Sequence, residues 1–109
     1  MSTLDESINL IMDSTKQISE LHNIKDFFLP NYVGNELILI QLHNNVANFN
    51  KYLIINDLGG FIFEQIMSGK SYDAIVFAIL TNYEIHDTQA RQDLSAFIDQ
   101  LYQYTIGHA

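Results

Sequence analysis

The chain is predicted to fold as an α+β domain in which a small antiparallel sheet of two or three strands precedes three helices, with an extra amphipathic helix at the N-terminus. Three observations carry this expectation. The run Lys51-Tyr52-Leu53-Ile54-Ile55 is rich in residues that fit a pleated surface, and it passes into the helix-start pair Asn56-Asp57 with almost no loop. Residues Tyr72, Ile75, Val76, Ile79, Leu80 and Tyr83 repeat at helical spacing. A length of 109 residues, of which 48% are hydrophobic and 12% aromatic, suffices for one buried core.

Taken in chain order, Leu4, Ile8, Ile11, Ile18 and Leu21 fall on one face of a helix spanning about Asp5 to His22, with polar Thr15 in register. The remaining positions there are polar, so this stripe must dock on the same domain, on a second copy or on another protein. Residues 1–25 are therefore read as an N-terminal helix and residues 26–109 as the main domain. A short strand is expected around Phe27 to Val33, where Pro30 suits an edge and Asn31 to Asn35, with Gly34, suits a turn. Glu36 to Leu42 is a second strand whose continuous apolar run requires cover on both faces or a helix over one. His43-Asn44-Asn45 and Asn48 supply turn chemistry, which makes Glu36 to Leu42 and Phe49 to Ile55 an antiparallel hairpin.

Three helices follow. The first spans about Asp57 to Met67, opened by the Asn56 cap and stopped at Ser68-Gly69, where glycine tolerates the left-handed conformation. Gly59-Gly60 inside it costs about 1 kcal/mol per glycine against alanine, which points to a close neighbouring backbone. The second is capped by Ser71. The third is capped by Asp87 or Thr88 and aligns Ala90, Leu94, Phe97, Ile98 and Leu101 on one face, with Arg91, Gln92, Asp99 and Gln103 outside it.

Composition removes several function classes. There is no cysteine, hence no disulfide, thiolate nucleophile or thiolate metal site. The histidines His22, His43, His86 and His108 lie on separate segments without an i, i+4 pair, so neither a metal nor another cofactor is expected. Gly59-Gly60 lacks the spacing and the lysine of a phosphate-binding loop. No pair of acidic residues forms a defensible acid/base constellation, and no catalytic residue is assigned. Apolar runs such as Leu37 to Ile40 and Ala74 to Leu80 are too short to cross a bilayer, and the polar, acidic start is unlike a signal peptide; a cytoplasmic location is the expectation. A net charge of −8, with only five Lys and Arg, opposes binding to nucleic acid, whose ligands concentrate cations.

A small sheet followed by three short helices is the outline of a winged helix-turn-helix. Within it, Ile55-Asn56-Asp57-Leu58-Gly59-Gly60-Phe61-Ile62-Phe63 resembles the strand-helix motif of the PqqD family, an aliphatic residue followed by Asn-Glu-Thr-Ala/Gly-x-x-Ile/Leu-Trp. Phe63 here replaces the Trp and Leu58 the Thr. Ser68-Gly69-Lys70-Ser71 resembles the family's helix-ending glycine and second cap, Asn82-Tyr83-Glu84 its Glu-Tyr-Asp, and Asp93-Leu94 through Phe97-Ile98 to Leu101 its third-helix pattern. The likeness covers Asn48 to Ile106 well and extends to Phe28 through Leu42, leaving the N-terminal helix outside.

The family is named for pyrroloquinoline quinone biosynthesis protein D, and its fold is also called the RiPP recognition element. The resemblance implies a non-catalytic protein that binds the leader of a ribosomally made precursor peptide and presents it to a modifying enzyme, often a radical SAM enzyme. It implies strand addition along Lys51, Tyr52, Leu53, Ile54 and Ile55, with Arg91, Asp93, Leu94 and Ile98 as the facing wall. Core burial competes for Leu53, Ile55, Leu94 and Ile98, edge protection for Lys51, and an ordinary solvated charge for Arg91. Two other classes share the architecture. A DNA-binding winged helix would use Asp87 to Tyr104, which carries Arg91 against three aspartates. A stand-alone interaction domain would dimerise through the N-terminal helix.

Overall fold

The computed structural model describes residues 14–23, 25–43 and 46–105. Residues 14–21 are helical (α1). A 3-10 turn at Lys25–Phe27 leads into β1 (Phe28–Val33), followed by β2 (Glu36–His43), β3 (Val46–Ile55), α2 (Asp57–Met67), α3 (Tyr72–Asn82) and α4 (Asp87–Thr105). The sheet is antiparallel in the order β1-β2-β3. This is the expected α+β arrangement, with the sheet first and three helices after it.

Local chemistry explains the boundaries. Gly34, at φ +62°, occupies the two-residue connection between β1 and β2, a conformation that costs other residues a Cβ clash. The Asn56 side chain accepts a hydrogen bond from the Gly59 amide at 2.8 Å and opens α2, with Asp57 in its first turn. Gly69, at φ +81°, closes α2, its amide donating to the Ile66 carbonyl while Lys70 donates to that of Gln65. Ser71 caps α3 through the Ala74 amide. At α4 the expected cap shifts by one residue. The Ala90 amide donates to the His86 carbonyl, which makes Asp87 the first helical residue, where its carboxylate instead accepts from Arg91 one turn later.

Two expectations about the hairpin are revised. His43 ends β2 opposite Val46, and Asn48 lies within β3 opposite Gln41, instead of in the turn. Pairing runs from Leu37↔Ile55 to Ile40↔Tyr52 and resumes at Gln41↔Asn48, so residues 49–51 form an irregularity that absorbs the asparagine-rich stretch inside the strand. Residues 44–45, the remainder of the expected turn, lie outside the described residues.

Helices cover one face of the sheet. Leu37, Leu39 and Ile55 from that face meet Ile62 and Ile66 of α2, Ile75 and Ile79 of α3, and Leu94, Ile98 and Leu101 of α4 in a single core. Ile18 and Leu21 of α1 are buried in the same core, and Ser14 and Gln17 bond to Ser95 and Asp99 of α4. The described turns of the N-terminal helix thus dock on the chain's own domain. Leu4, Ile8 and Ile11 lie outside the described residues.

The tolerance for Gly59 has a steric cause other than the expected backbone approach. A Cβ there would stand 2.5 Å from Ile55 Cγ2 and 3.1 Å from Phe97 Cε1, both side-chain atoms. At Gly60 the nearest atom would be Leu37 Cβ at 3.6 Å, an ordinary contact.

Candidate functional site

Among the described residues β3 pairs with β2 on one side only, so its other edge offers backbone N–H and C=O groups to any added strand. Beside that edge lies a groove of about 510 Å³ bounded by Ile54 and Ile55 of β3, Leu58, Gly59 and Ile62 of α2, and Asp93, Ala96, Phe97 and Gln100 of α4, with Glu36 of β2 and the Asn56 cap. Its position follows from the short strand-to-helix junction. Because Asn56 caps α2 directly after Ile55, the first turn of α2 forms one end of the groove, and the missing side chain at Gly59 lets Phe97 of α4 approach that turn.

The groove is apolar where α2 and α4 converge and includes two carboxylates, Asp93 of α4 and Glu36 at the start of β2. Asp93 accepts a hydrogen bond from Gln89 Nε2 at 2.7 Å, which orients its carboxylate. Glu36 is exposed at the start of β2. Among the described residues lining the groove there is no lysine or arginine.

The sequence-expected residues separate into four groups. Tyr52, Leu53, Ile54 and Ile55 lie on the open-edged β3, as does Lys51 at the end of the irregularity. Leu53 and Ile55 pack toward the core, while Tyr52 and Ile54 are 53% and 54% exposed on the sheet face away from the helices. Asp93 reaches the groove. Leu94 and Ile98, at 0% exposure, are core residues and do not line it.

Arg91 points elsewhere again. Its guanidinium pairs with Asp87 at 2.7 Å and Asp73 at 3.9 Å and lies 5.9 Å from the centre of the Tyr72 ring, joining α4 to the start of α3. The hydrogen bond to Asp87 holds its pKa above the ordinary arginine value. Phe97, Ala96 and Gln100 were not singled out from sequence as groove residues. Their signal was the polar and small flank around Phe97, which marks the border of the apolar stripe.

On the outer sheet face, Asn31, Ile38, Ile40, Tyr52 and Ile54 line a shallow depression of about 400 Å³. Among the described residues there is no group of three His, Cys, Asp or Glu placed to hold a metal, and no helix long and apolar enough to cross a membrane.

The model of the family described as coenzyme PQQ synthesis protein D (PqqD) matches residues 36–106, more than half of the chain. The chain belongs to the PqqD family. The match begins at β2 and takes in β3 and the three helices, so the groove lies wholly within the PqqD region, while α1 and β1 precede it. Among solved structures, one described as TbiB1 in complex with the TbiA(beta) leader peptide has a similar fold. Its TM-score is 0.58 at 23% sequence identity, covering 71% of this chain and 84% of that chain. At that identity the likeness is one of fold. No curated protein matches the sequence.

Proposed function

We propose that this PqqD-family chain is a RiPP recognition element that binds the leader of a ribosomally made precursor peptide as an added strand on β3, without catalysing a reaction itself, and presents it to a modifying enzyme. The observation that carries this reading is the open edge of β3 facing a groove walled by α2 and α4. An extended peptide laid along that edge pairs its backbone with β3 and turns alternate side chains into the groove. The fold likeness to a protein solved with a leader peptide supports the choice of guest.

DNA binding is disfavoured by the surface of α4. Its arginine is engaged by two aspartates, and its exposed positions include Asp99 and Gln100. A cytoplasmic location and a radical SAM partner accord with this role; gene neighbourhood tests the latter, which requires a short precursor reading frame beside the enzyme.

Strand addition is tested by N-methylating such a leader peptide one position at a time and titrating each version calorimetrically. Loss of about five- to tenfold in affinity is expected at every second residue of the paired segment, where an amide faces β3. Uniform affinity across the scan removes strand addition.

A further inference from the structure

We propose that the guest strand on β3 is apolar on both of its faces, its outward side chains being aromatic or β-branched and completing two rows of residues on the outer face of the sheet; this rests on strand addition at β3. Register defines the rows. Leu29, Ile40 and Tyr52 stand opposite one another across β1, β2 and β3, as do Asn31, Ile38 and Ile54. Both rows lie on the face away from the helices, because the alternate positions Leu37, Leu39 and Ile55 belong to the core.

Exposure along the first row shows what a flanking neighbour does. Ile40, between two neighbours, is 6% exposed although it stands outside the core cluster beneath the helices, whereas Tyr52 at the row's end is 53% exposed. Ile54 ends the second row and is 54% exposed. A strand paired to β3 sets a side chain of its own beside each of them, about 5 Å away on the same face, and turns both row ends into row interiors. Aromatic and β-branched residues pack best in such pairs.

The two faces of the guest site are continuous. Ile54 lines both the groove and the outer depression, and the described lining of that depression carries no charge. Inward side chains of the guest therefore meet Leu58, Ile62 and Phe97, while outward ones meet Tyr52 and Ile54. The docked segment reads as consecutive apolar residues, as β2 does from Leu37 to Ile40.

The test is display selection of random dodecapeptides on the immobilised full chain, repeated on Ile54→Lys, Tyr52→Lys, Val33→Lys and Ala96→Arg, with circular dichroism to confirm that each variant is folded. Val33 is 54% exposed on β1, at the opposite edge, and its replacement changes net charge equally. Wild type and Val33→Lys are expected to enrich peptides with apolar residues at two interleaved sets of alternate positions, one set aromatic or β-branched. Ile54→Lys is expected to bind these peptides about two- to fivefold more weakly and to select Asp or Glu at one outward position, with the inward set unchanged. Tyr52→Lys is expected to select the acid two residues away from that position.

Peptides apolar at one alternate set only, unaltered by Ile54→Lys and Tyr52→Lys, overturn the proposal and leave strand addition intact. Acidic enrichment without a fixed position, or equally in Val33→Lys, overturns it in favour of net charge. A dimer in light scattering that Ile54→Lys dissociates, with the selected peptides unchanged, overturns it by assigning the outer face to a second copy. If Ala96→Arg, which fills the groove, selects the same peptides as wild type, the binding site itself is elsewhere and strand addition at β3 falls with it.

Discussion

Among the described residues the sheet has two free edges, and only one of them is furnished. β1 carries Pro30, which has no N–H to offer, and five of its six residues are exposed. β3 borders a groove built by two helices. The contrast shows that an unpaired edge alone is an aggregation hazard, whereas an edge with a wall can discriminate among guests. The wall here depends on a second contrast, between two stripes of α4. Leu94, Ile98 and Leu101 are buried, Asp93, Ala96 and Gln100 border the groove, and Phe97, itself a core residue, reaches both.

The largest expected effect separates the stripes. Leu94→Ala or Ile98→Ala removes a fully buried side chain and should cost about 2–5 kcal/mol of stability by denaturant unfolding. A smaller loss, with weakened peptide binding, would place these residues in the groove after all. Next comes the junction that shapes the wall. Gly59→Ala gains about 1 kcal/mol in helix propensity, but its methyl collides with Ile55 and Phe97, and overpacking of about 1–3 kcal/mol should win. Gly60→Ala has room and should stabilise by up to about 1 kcal/mol, so opposite signs at adjacent glycines are the outcome that checks the geometry.

A third comparison acts on binding. Ala96→Arg should weaken a leader peptide at least about tenfold, roughly 1.4 kcal/mol, with little change in melting temperature, whereas Leu29→Arg on β1 should leave binding unchanged. Equal losses would erase the distinction between the edges. The smallest effect lies away from both edges. Tyr83 donates to Asp57 at 3.2 Å, and Tyr83→Phe should cost less than about 1 kcal/mol. Partial burial, then this bond, raises the phenol's pKa above its ordinary value. Its small contribution is therefore complete below the ordinary tyrosine range and is lost as pH rises through the raised value.

Much of this was legible in the residues. From Asn56 onward, caps, glycines and apolar spacing located all three helices, because those signals are local and each acts within one turn. That β3 is an edge strand open to an added one was implied by the resemblance to the PqqD family. The facing wall was less legible, since the groove-side and core-side stripes of α4 lie about 100° apart and Phe97 belongs to the core while also lining the groove, so periodicity alone did not separate Asp93 at the groove from Leu94 and Ile98 in the core. Arg91 had a readable sign, as Asp87 four residues earlier marks an intrahelical ion pair. The strand irregularity had none, because a shift in pairing is a property of two strands together.

That irregularity sets a length. The straight stretch of β3 beside β2 is Tyr52–Ile55, and beyond it residues 49–51 break the pairing. Four residues span roughly 13 Å, and alternate residues on a free edge face outward, so a guest gains about four backbone hydrogen bonds. At about 1 kcal/mol each these reach only about millimolar affinity. The bend thus acts as a ruler that keeps the docking word short, and whatever grip exceeds that level must come from the letters of the word.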